Sequence, residues 1–342
     1  MALLDIRNLN VDIKTPSGNL HIVDNVDLSV NEGEIIALVG APGSGKTLML
    51  QAITYLRKEN ISFRADRFKI NNEDLLQMPS KKRRKVIGEN FSLIMQDPRS
   101  SLDPTLKIKY QIYEMMPKDK WYRLDRRLFG FITRKKLDTA IATLHRTGIK
   151  DHKRILNSYP NELSDVECQK VMITMAICAE PKLIIADEPI SNLSISSRLQ
   201  ILKLLDKYNK NDKTSILIIC NDLASIANFA DYFAIFYGGK IVEFGSRHHI
   251  LHNPTHPYTA SLVRSMMIME DPEREFNYKE YRTARSPDFA QMPIGCPYGP
   301  SCRYANRKCN KRPKLTITKS FRYFCHNPLP QGALFQEEDD DS

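Results

Sequence analysis

The stretch Gly40-Ala41-Pro42-Gly43-Ser44-Gly45-Lys46-Thr47 decides how this chain is read. It fits G-x-x-x-x-G-K-[S/T], a pattern whose glycines let backbone N–H groups curl around phosphate oxygens. The run before it, residues 34–39, is short and apolar like a buried strand, and residues 46–56 read as a helix. A phosphate at that strand-to-helix turn faces the positive end of the helix dipole. In such a loop Gly40, Ala41, Pro42, Gly43, Ser44 and Gly45 form the cradle. Lys46 then reaches the β- and γ-phosphates, and Thr47 ligates Mg²⁺.

A second apolar run, Leu183-Ile184-Ile185-Ala186, ends in Asp187-Glu188. Ligands of α/β sheets sit at the carboxyl ends of strands. Asp187 is therefore expected to hold Mg²⁺ through water, and Glu188 to polarise an attacking water. Residues 91–95 and 215–220 are further buried-strand runs, and 135–147 and 166–179 have helical periodicity. Residues 1–30 alternate like strands around a hairpin tip, Pro16-Ser17-Gly18-Asn19. Strands alternating with helices predict an α/β class with a mostly parallel sheet. Past residue 250 prolines become frequent, which argues against long helices between 270 and 330.

The 342 residues carry 50 basic and 40 acidic side chains, a net charge of +10. Five of the acids form one tail, Glu337 to Asp341, and residues 331–342 are expected to be disordered. The apolar fraction is 42%, an ordinary globular mix that excludes wholesale disorder. No stretch has the roughly 18 apolar residues of a membrane helix, and the N-terminus turns acidic too early for a signal peptide. The expectation is a soluble, cytoplasmic protein. Basic clusters at 81–85 and 123–136 read as solvated helix faces or subunit contacts rather than a nucleic-acid surface.

Taken with Lys46, Asp187 and Glu188, several segments make the chain resemble the ATP-binding subunits of ABC transporters, from about residue 3 to 330. Gln96, in Met95-Gln96-Asp97-Pro98, looks like the family's glutamine loop, which senses Mg²⁺ and nucleotide. Tyr159-Pro-Asn-Glu-Leu163-Ser164 occupies the place of the signature motif. His256-Pro257-Tyr258-Thr259 looks like the C-terminal hallmark of dipeptide and oligopeptide importers, and residues 148–152 and 167–170 resemble the Sap-type branch. The resemblance implies a P-loop NTPase with a RecA-like core, an inserted helical subdomain at about 90–165 and a small irregular Cys-rich C-terminal extension. It implies an ATP-binding domain over 1–250 and a transporter-type C-terminal region over 251–330. It further implies ATP and Mg²⁺ as ligands, with Thr47, Gln96 and Asp187 around the metal. The implied partners are a second ATP-binding subunit, two membrane permeases and, indirectly, a periplasmic peptide-binding protein, on the cytoplasmic face of the inner membrane.

The chain departs from that family at three places. The signature Leu-Ser-Gly-Gly-Gln is replaced by Leu163-Ser164-Asp165-Val166-Glu167. Ser164 keeps its place toward a nucleotide on the opposite subunit, but Asp165 brings negative charge and Val166 bulk where glycines allow close approach. The aspartate loop reads Asn192-Leu193-Ser194. Asn221 stands where a switch histidine is expected, and asparagine cannot become cationic. His21 is the one ring near the place of an adenine-stacking aromatic. These changes predict sound ATP binding with weakened hydrolysis. The rival expectation is a regulatory ATP-binding subunit without meaningful catalysis.

Four of the seven cysteines, Cys296, Cys302, Cys309 and Cys325, fall within 30 residues. Four clustered thiols in a cytosolic chain suggest a metal site, and four thiolates suit either Zn²⁺ or a [4Fe–4S] cluster. The importer resemblance implies the iron–sulfur cluster. Residues 289–330 hold eight Lys or Arg and no acid, a surplus that would offset thiolate charge. His326 is expected to be a turn residue rather than a ligand.

Overall fold

The structure, a computed structural model, describes residues 2–16, 18–56, 59–117, 129–191, 193–270 and 287–332. The acidic tail from 333 onward, Asn192 and most of the second basic cluster lie outside the described residues. The strands are β1 (Ala2–Thr15), β2 (Gly18–Asn31), β3 (Ile35–Val39), β4 (Ile61–Arg64), β5 (Arg67–Ile70), β6 (Glu73–Asp74), β7 (Phe91–Ile94), β8 (Leu183–Asp187), β9 (Ser215–Cys220), β10 (Tyr232–Tyr237), β11 (Lys240–Ser246), β12 (Thr316–Ile317) and β13 (Phe321–Tyr323). The helices are α1 (Lys46–Ile53), α2 (Ser80–Asn90), α3 (Pro98–Ser101), α4 (Ile108–Met115), α5 (Phe129–Arg146), α6 (His152–Asn157), α7 (Asp165–Cys178), α8 (Ile195–Asp212), α9 (Arg247–His252) and α10 (Pro257–Glu270). The chain forms two compact units, one of residues 2–78 with 219–342, the other of residues 79–218.

In the first unit, β1 and β2 make the long antiparallel hairpin that the alternation predicts, and β5 pairs antiparallel with β1. Leu4, Ile6, Leu9, Val11, Val23, Val26, Leu28 and Val30 bury its inner face. Every residue of β3 is buried, and β3 runs parallel to β10. A strand covered on both faces reads as a continuous apolar run, which is why residues 34–39 are so legible. The sheet is nevertheless mixed. Gly238 and Gly239, both at positive φ (52° and 80°), turn the chain so that β11 returns antiparallel to β10. That two-residue turn suits the twist of a hairpin. β13 then adds antiparallel to β11, which draws the Pro-rich C-terminal segment onto the core.

Two buried polar nodes hold that segment. Glu243 on β11 has no exposed surface and accepts the N–H groups of Thr255 (2.8 Å) and His256 (2.9 Å) and the His249 Nε2 contact (2.8 Å). Asp24 on β2 faces Lys240 at 3.1 Å and is also bound by Arg312. Burial pushes its carboxyl pKa up, but Lys240 and Arg312 together hold it below the usual range.

In the second unit, β7 and β8 are parallel, with Ile94 beside Ala186. Helices α4 to α7 close around Leu102, Ile108, Ile112, Ala140, Leu144, Ile155, Leu163, Cys168 and Val171. This helical core continues past residue 165 to Cys178, because α7 packs its buried face into it. Lys81, Lys82, Arg84 and Lys85 lie on the exposed face of α2, as a solvated helix face requires.

His256 is 1% exposed, and burial lowers its imidazole pKa to about 4. Its Nδ1 accepts the Tyr258 N–H at 3.0 Å, so the neutral ring is the structural form. The unfolded chain takes up a proton near pH 6.5 and the folded chain only near 4, so stability falls as pH drops through that window. The loss approaches about 3 kcal/mol below pH 4. Thermal melts of wild type and His256→Asn between pH 7 and 4 check this: the wild type should lose its advantage over the variant across that range.

Candidate active site

The phosphate loop joins β3 to α1 in the first unit. Gly40 admits no side chain, since a Cβ there would sit 2.0 Å from the Phe236 carbonyl oxygen of β10. Gly45 has φ 104° and caps α1 in the left-handed region, where an L side chain is strained. Lys46 is 4% exposed and folds back over the loop. Its Nζ donates to the carbonyls of Gly40 (2.7 Å) and Ala41 (2.9 Å) and to Ser44 Oγ (3.2 Å). Thr47 is exposed at the first turn of α1, while Pro42 and Gly43 form the exposed rim. Gly40 N–H donates to Cys220 O at 3.4 Å, which brings Asn221 alongside the loop. His21 is engaged by carboxylates, with Nδ1 2.6 Å from Asp12 and Nε2 3.7 Å from Asp24. It is the neighbouring Ile22 that approaches the loop, at Gly45.

In the second unit the register of β7 and β8 does the placing. With Ile94 beside Ala186, the residues two further along each strand are neighbours, and Gln96 Nε2 donates to Glu188 Oε2 at 3.4 Å. Asp187 is 3% exposed at the carboxyl end of β8. Glu188 adopts φ 47°, a conformation that non-glycine residues rarely hold without a local reason. Ser191 fastens the turn, donating both N–H (3.1 Å) and Oγ–H (2.9 Å) to the Glu188 carbonyl. Gln96, Asp187 and Glu188 thus share one strand-end edge.

The signature segment opens α7. Ser164 is the N-cap, and Glu167 reaches back to its N–H at 2.9 Å in a capping box. Burial raises the Glu167 pKa, but the Ser164 hydrogen bonds and Arg154 outweigh it and hold the carboxyl below its ordinary value. The side chain of Asp165 is not a bare charge. Arg99 Nε donates to its Oδ1 at 2.9 Å, and Arg99 Nη2 donates to Leu163 O at 2.8 Å. Asp97 caps α3 and so orients this arginine. The sequence reading missed Arg99, because only the fold brings residues 99 and 165 together. Tyr258, which bonds the phosphate loop from 217 residues away, was recognised in its motif but given no role.

The four clustered cysteines converge in the first unit, each half-buried. Cys296 N–H donates to Cys309 O at 2.9 Å, and Gly295 is required because a Cβ there would lie 2.0 Å from that same oxygen. Asn327 donates its N–H to Cys325 Sγ (3.3 Å) and its Nδ2–H to Cys309 Sγ (3.5 Å). Burial, reinforced by Cys296, Cys302 and Cys309, pushes the Cys325 thiol up to about 12. Four clustered sulfurs are the donor set a thiolate-bound group takes, though burial alone favours the neutral thiol. Among the described residues, however, no three His, Cys, Asp or Glu side chains stand in a geometry that holds a metal. His326 bonds the Lys311 carbonyl at 2.9 Å instead, as a turn residue does.

A glycine cradle with a buried lysine at a strand-to-helix turn, and a glutamine and two acids at parallel strand ends, define a nucleotide-binding cassette of the P-loop NTPase class. Residues 23–191 match the ABC transporter family, and residues 242–309 match the oligopeptide/dipeptide transporter C-terminal region. The chain is 42% identical to the peptide transport system ATP-binding protein SapD of Haemophilus influenzae, over 96% of this chain and 93% of that one. It is 34% identical to the dipeptide transport ATP-binding protein DppD of Escherichia coli K12, over 97% and 99%. The fold matches the dimeric ATP-binding cassette MJ0796 bound to ADP and phosphate, with TM-score 0.59, 21% identity and 71% of this chain covering 98% of that one. It also matches cbiO1 of Clostridium perfringens, with TM-score 0.61, 20% identity and coverages of 80% and 95%. The chain belongs to the ATP-binding subunits of ABC transporters, a family of ATPases.

Lys46→Ala should abolish Mg-ATP binding by this chain while leaving the fold intact, since the lysine supplies the ammonium for the phosphates. Calorimetric titration alongside circular dichroism tests this; retained affinity would remove Lys46 from the site.

Proposed function

We propose that this chain is the ATP-binding subunit of a peptide importer of the Sap-like kind, binding and hydrolysing ATP to drive uptake through partner permeases. The observation that carries the reading is the likeness to peptide-transport subunits across nearly the whole chain, cassette and C-terminal region together. An ATP-binding domain over 1–250 is followed by the transporter-type region 251–330 and the acidic tail 331–342. Lys46 and the backbone N–H groups of residues 43–47 hold the phosphates, with residues 40–42 shaping the cradle. Thr47, Asp187 and Gln96 are the residues to hold Mg²⁺, which when bound neutralises developing phosphate charge. Glu188 polarises the attacking water, with Gln96 hydrogen-bonded to it. Asn221 takes the switch position and donates a hydrogen bond without carrying charge.

One phosphate loop per chain requires a second ATP-binding subunit to complete a composite site, where Ser164 and the segment after it face the partner's nucleotide. The Arg99–Asp165 pair matters there, because it offsets within this chain the charge that Asp165 would bring. The close relatives do not favour a purely regulatory subunit. Among the described residues no helix is long and apolar enough to cross a membrane. Attachment to the cytoplasmic face of the inner membrane then comes through two permeases, which receive cargo from a periplasmic peptide-binding protein. Cys296, Cys302, Cys309 and Cys325 are the residues that would hold an iron–sulfur cluster, or Zn²⁺ in its place. Burial raises the thiol pKa values of Cys296, Cys302 and Cys325, which disfavours thiolates until a cation is present.

The isolated chain should bind Mg-ATP but release phosphate very slowly, and a paired ATP-binding subunit should raise turnover by restoring a histidine or a glycine-rich signature at a composite site. Phosphate release from isolated and mixed subunits checks this, and vigorous turnover by the chain alone would sink the view of weakened catalysis. Anaerobically purified protein should contain about four irons and absorb broadly near 400 nm. Stoichiometric zinc without iron would show the other metal to be the right one.

A further inference from the structure

The C-terminal region reaches the phosphate loop through the hydroxyl of Tyr258. Ala41 N–H donates to the Tyr258 hydroxyl at 3.1 Å. Tyr258 is 1% exposed, and burial pushes its pKa up to about 12, so it stays a neutral phenol at any working pH. On the other side of Ala41 its carbonyl accepts from Lys46, as does the carbonyl of Gly40. The second residue of the loop is thus clamped at its N–H by the tyrosine and at its C=O by the lysine that serves the phosphates.

The tyrosine is itself held firmly. Its ring packs on Tyr237 (centroids 4.5 Å apart) and Tyr298 (5.4 Å). Its N–H donates to His256 Nδ1 at 3.0 Å, and His256 N–H in turn donates to buried Glu243. Tyr298 lies two residues past Cys296 and also packs edge-on against Tyr237 at 5.3 Å. A continuous chain of buried rings therefore runs from the cysteine-bearing segment to the mouth of the phosphate loop.

We propose that Tyr258 is a positioning residue for the phosphate loop, fixing the Gly40–Ala41 peptide plane, whose carbonyl accepts from Lys46, so that Lys46 is presented to nucleotide phosphates, and that Tyr298 transmits the packing of the cysteine-bearing segment to it. The proposal rests on the nucleotide-binding reading above. With the Gly40–Ala41 plane fixed before binding, the Gly40 carbonyl keeps the ammonium at the mouth of the loop. Without the hydroxyl the plane can rotate, and the ordering cost falls on the nucleotide.

The test uses the full chain and Mg-ATP, with Tyr258→Phe, Tyr298→Leu and the double variant. Tyr258→Phe keeps the ring and removes one oxygen. It should weaken Mg-ATP binding about fivefold, the scale of one buried hydrogen bond, while the nucleotide-free protein melts only slightly earlier and stays fully folded at the assay temperature. Tyr298→Leu should weaken binding in the wild-type background and add little in the Tyr258→Phe background, because both act through the same hydroxyl. Wild-type affinity in Tyr258→Phe overturns the proposal, as does an affinity loss that only tracks a fall in the folded fraction. Additive effects of the two variants overturn the transmission through Tyr298. A wild-type chain that fails to bind Mg-ATP overturns the nucleotide reading itself and this proposal with it. Binding by the wild type with no effect of Tyr258→Phe overturns the proposal alone.

Discussion

Close backbone approach at the phosphate loop is the constraint on which the first unit is built. A Cβ on Gly40 would collide with the Phe236 carbonyl, and one on Gly239 would stand 2.1 Å from the Ile22 carbonyl. Strands β2, β3 and β10 can converge there only because those positions lack side chains. That convergence orients α1, leaves Gly45 in the left-handed region and buries Lys46 against the carbonyls of the loop. A cradle for phosphate results from packing that is already tight before any nucleotide arrives, so the donors are ordered in advance of binding.

The same economy of space governs the C-terminal region. It has few regular elements to hold it, and its prolines forbid more. Buried polar nodes take over. Glu243 gathers two backbone donors and a histidine, and Asp24 gathers a lysine and an arginine. A carboxylate buried without such partners would be costly, which explains why both nodes are multiply bonded. Arg312 thereby ties the cysteine-bearing segment to β2, and β13 ties it to β11.

In the second unit the departures from the family's usual residues are locally compensated. Asp165 stands where the family has glycine but is met by Arg99, in an exposed pair whose worth to stability is small. Its significance lies in charge: the carboxylate is met by a guanidinium within the chain. Glu167 stands where glutamine is usual and becomes the far half of a capping box on Ser164. Both residues therefore have a structural reason to be where they are.

The phosphate loop and the two acids could be read from the sequence because each depends on local order, a strand followed at once by a turn, whereas Gln96 was singled out by the family resemblance. Periodicity likewise revealed β3, β8 and β9, whose residues are buried on both faces, and the β1–β2 hairpin, whose faces alternate. Tertiary structure alone decided the rest. The antiparallel return of β11 makes the sheet mixed where a mostly parallel one was expected, since it hinges on two glycines that spacing does not distinguish from an ordinary turn. Arg99 meets Asp165 across 66 residues and Ala41 meets Tyr258 across 217. The four cysteines announced a site by their clustering, yet their approach, short of a set that holds a metal, depends on distances that only folding sets. Hydrogen bonds and ion pairs act over a few ångströms, and sequence order carries no information about which distant residues will come that close.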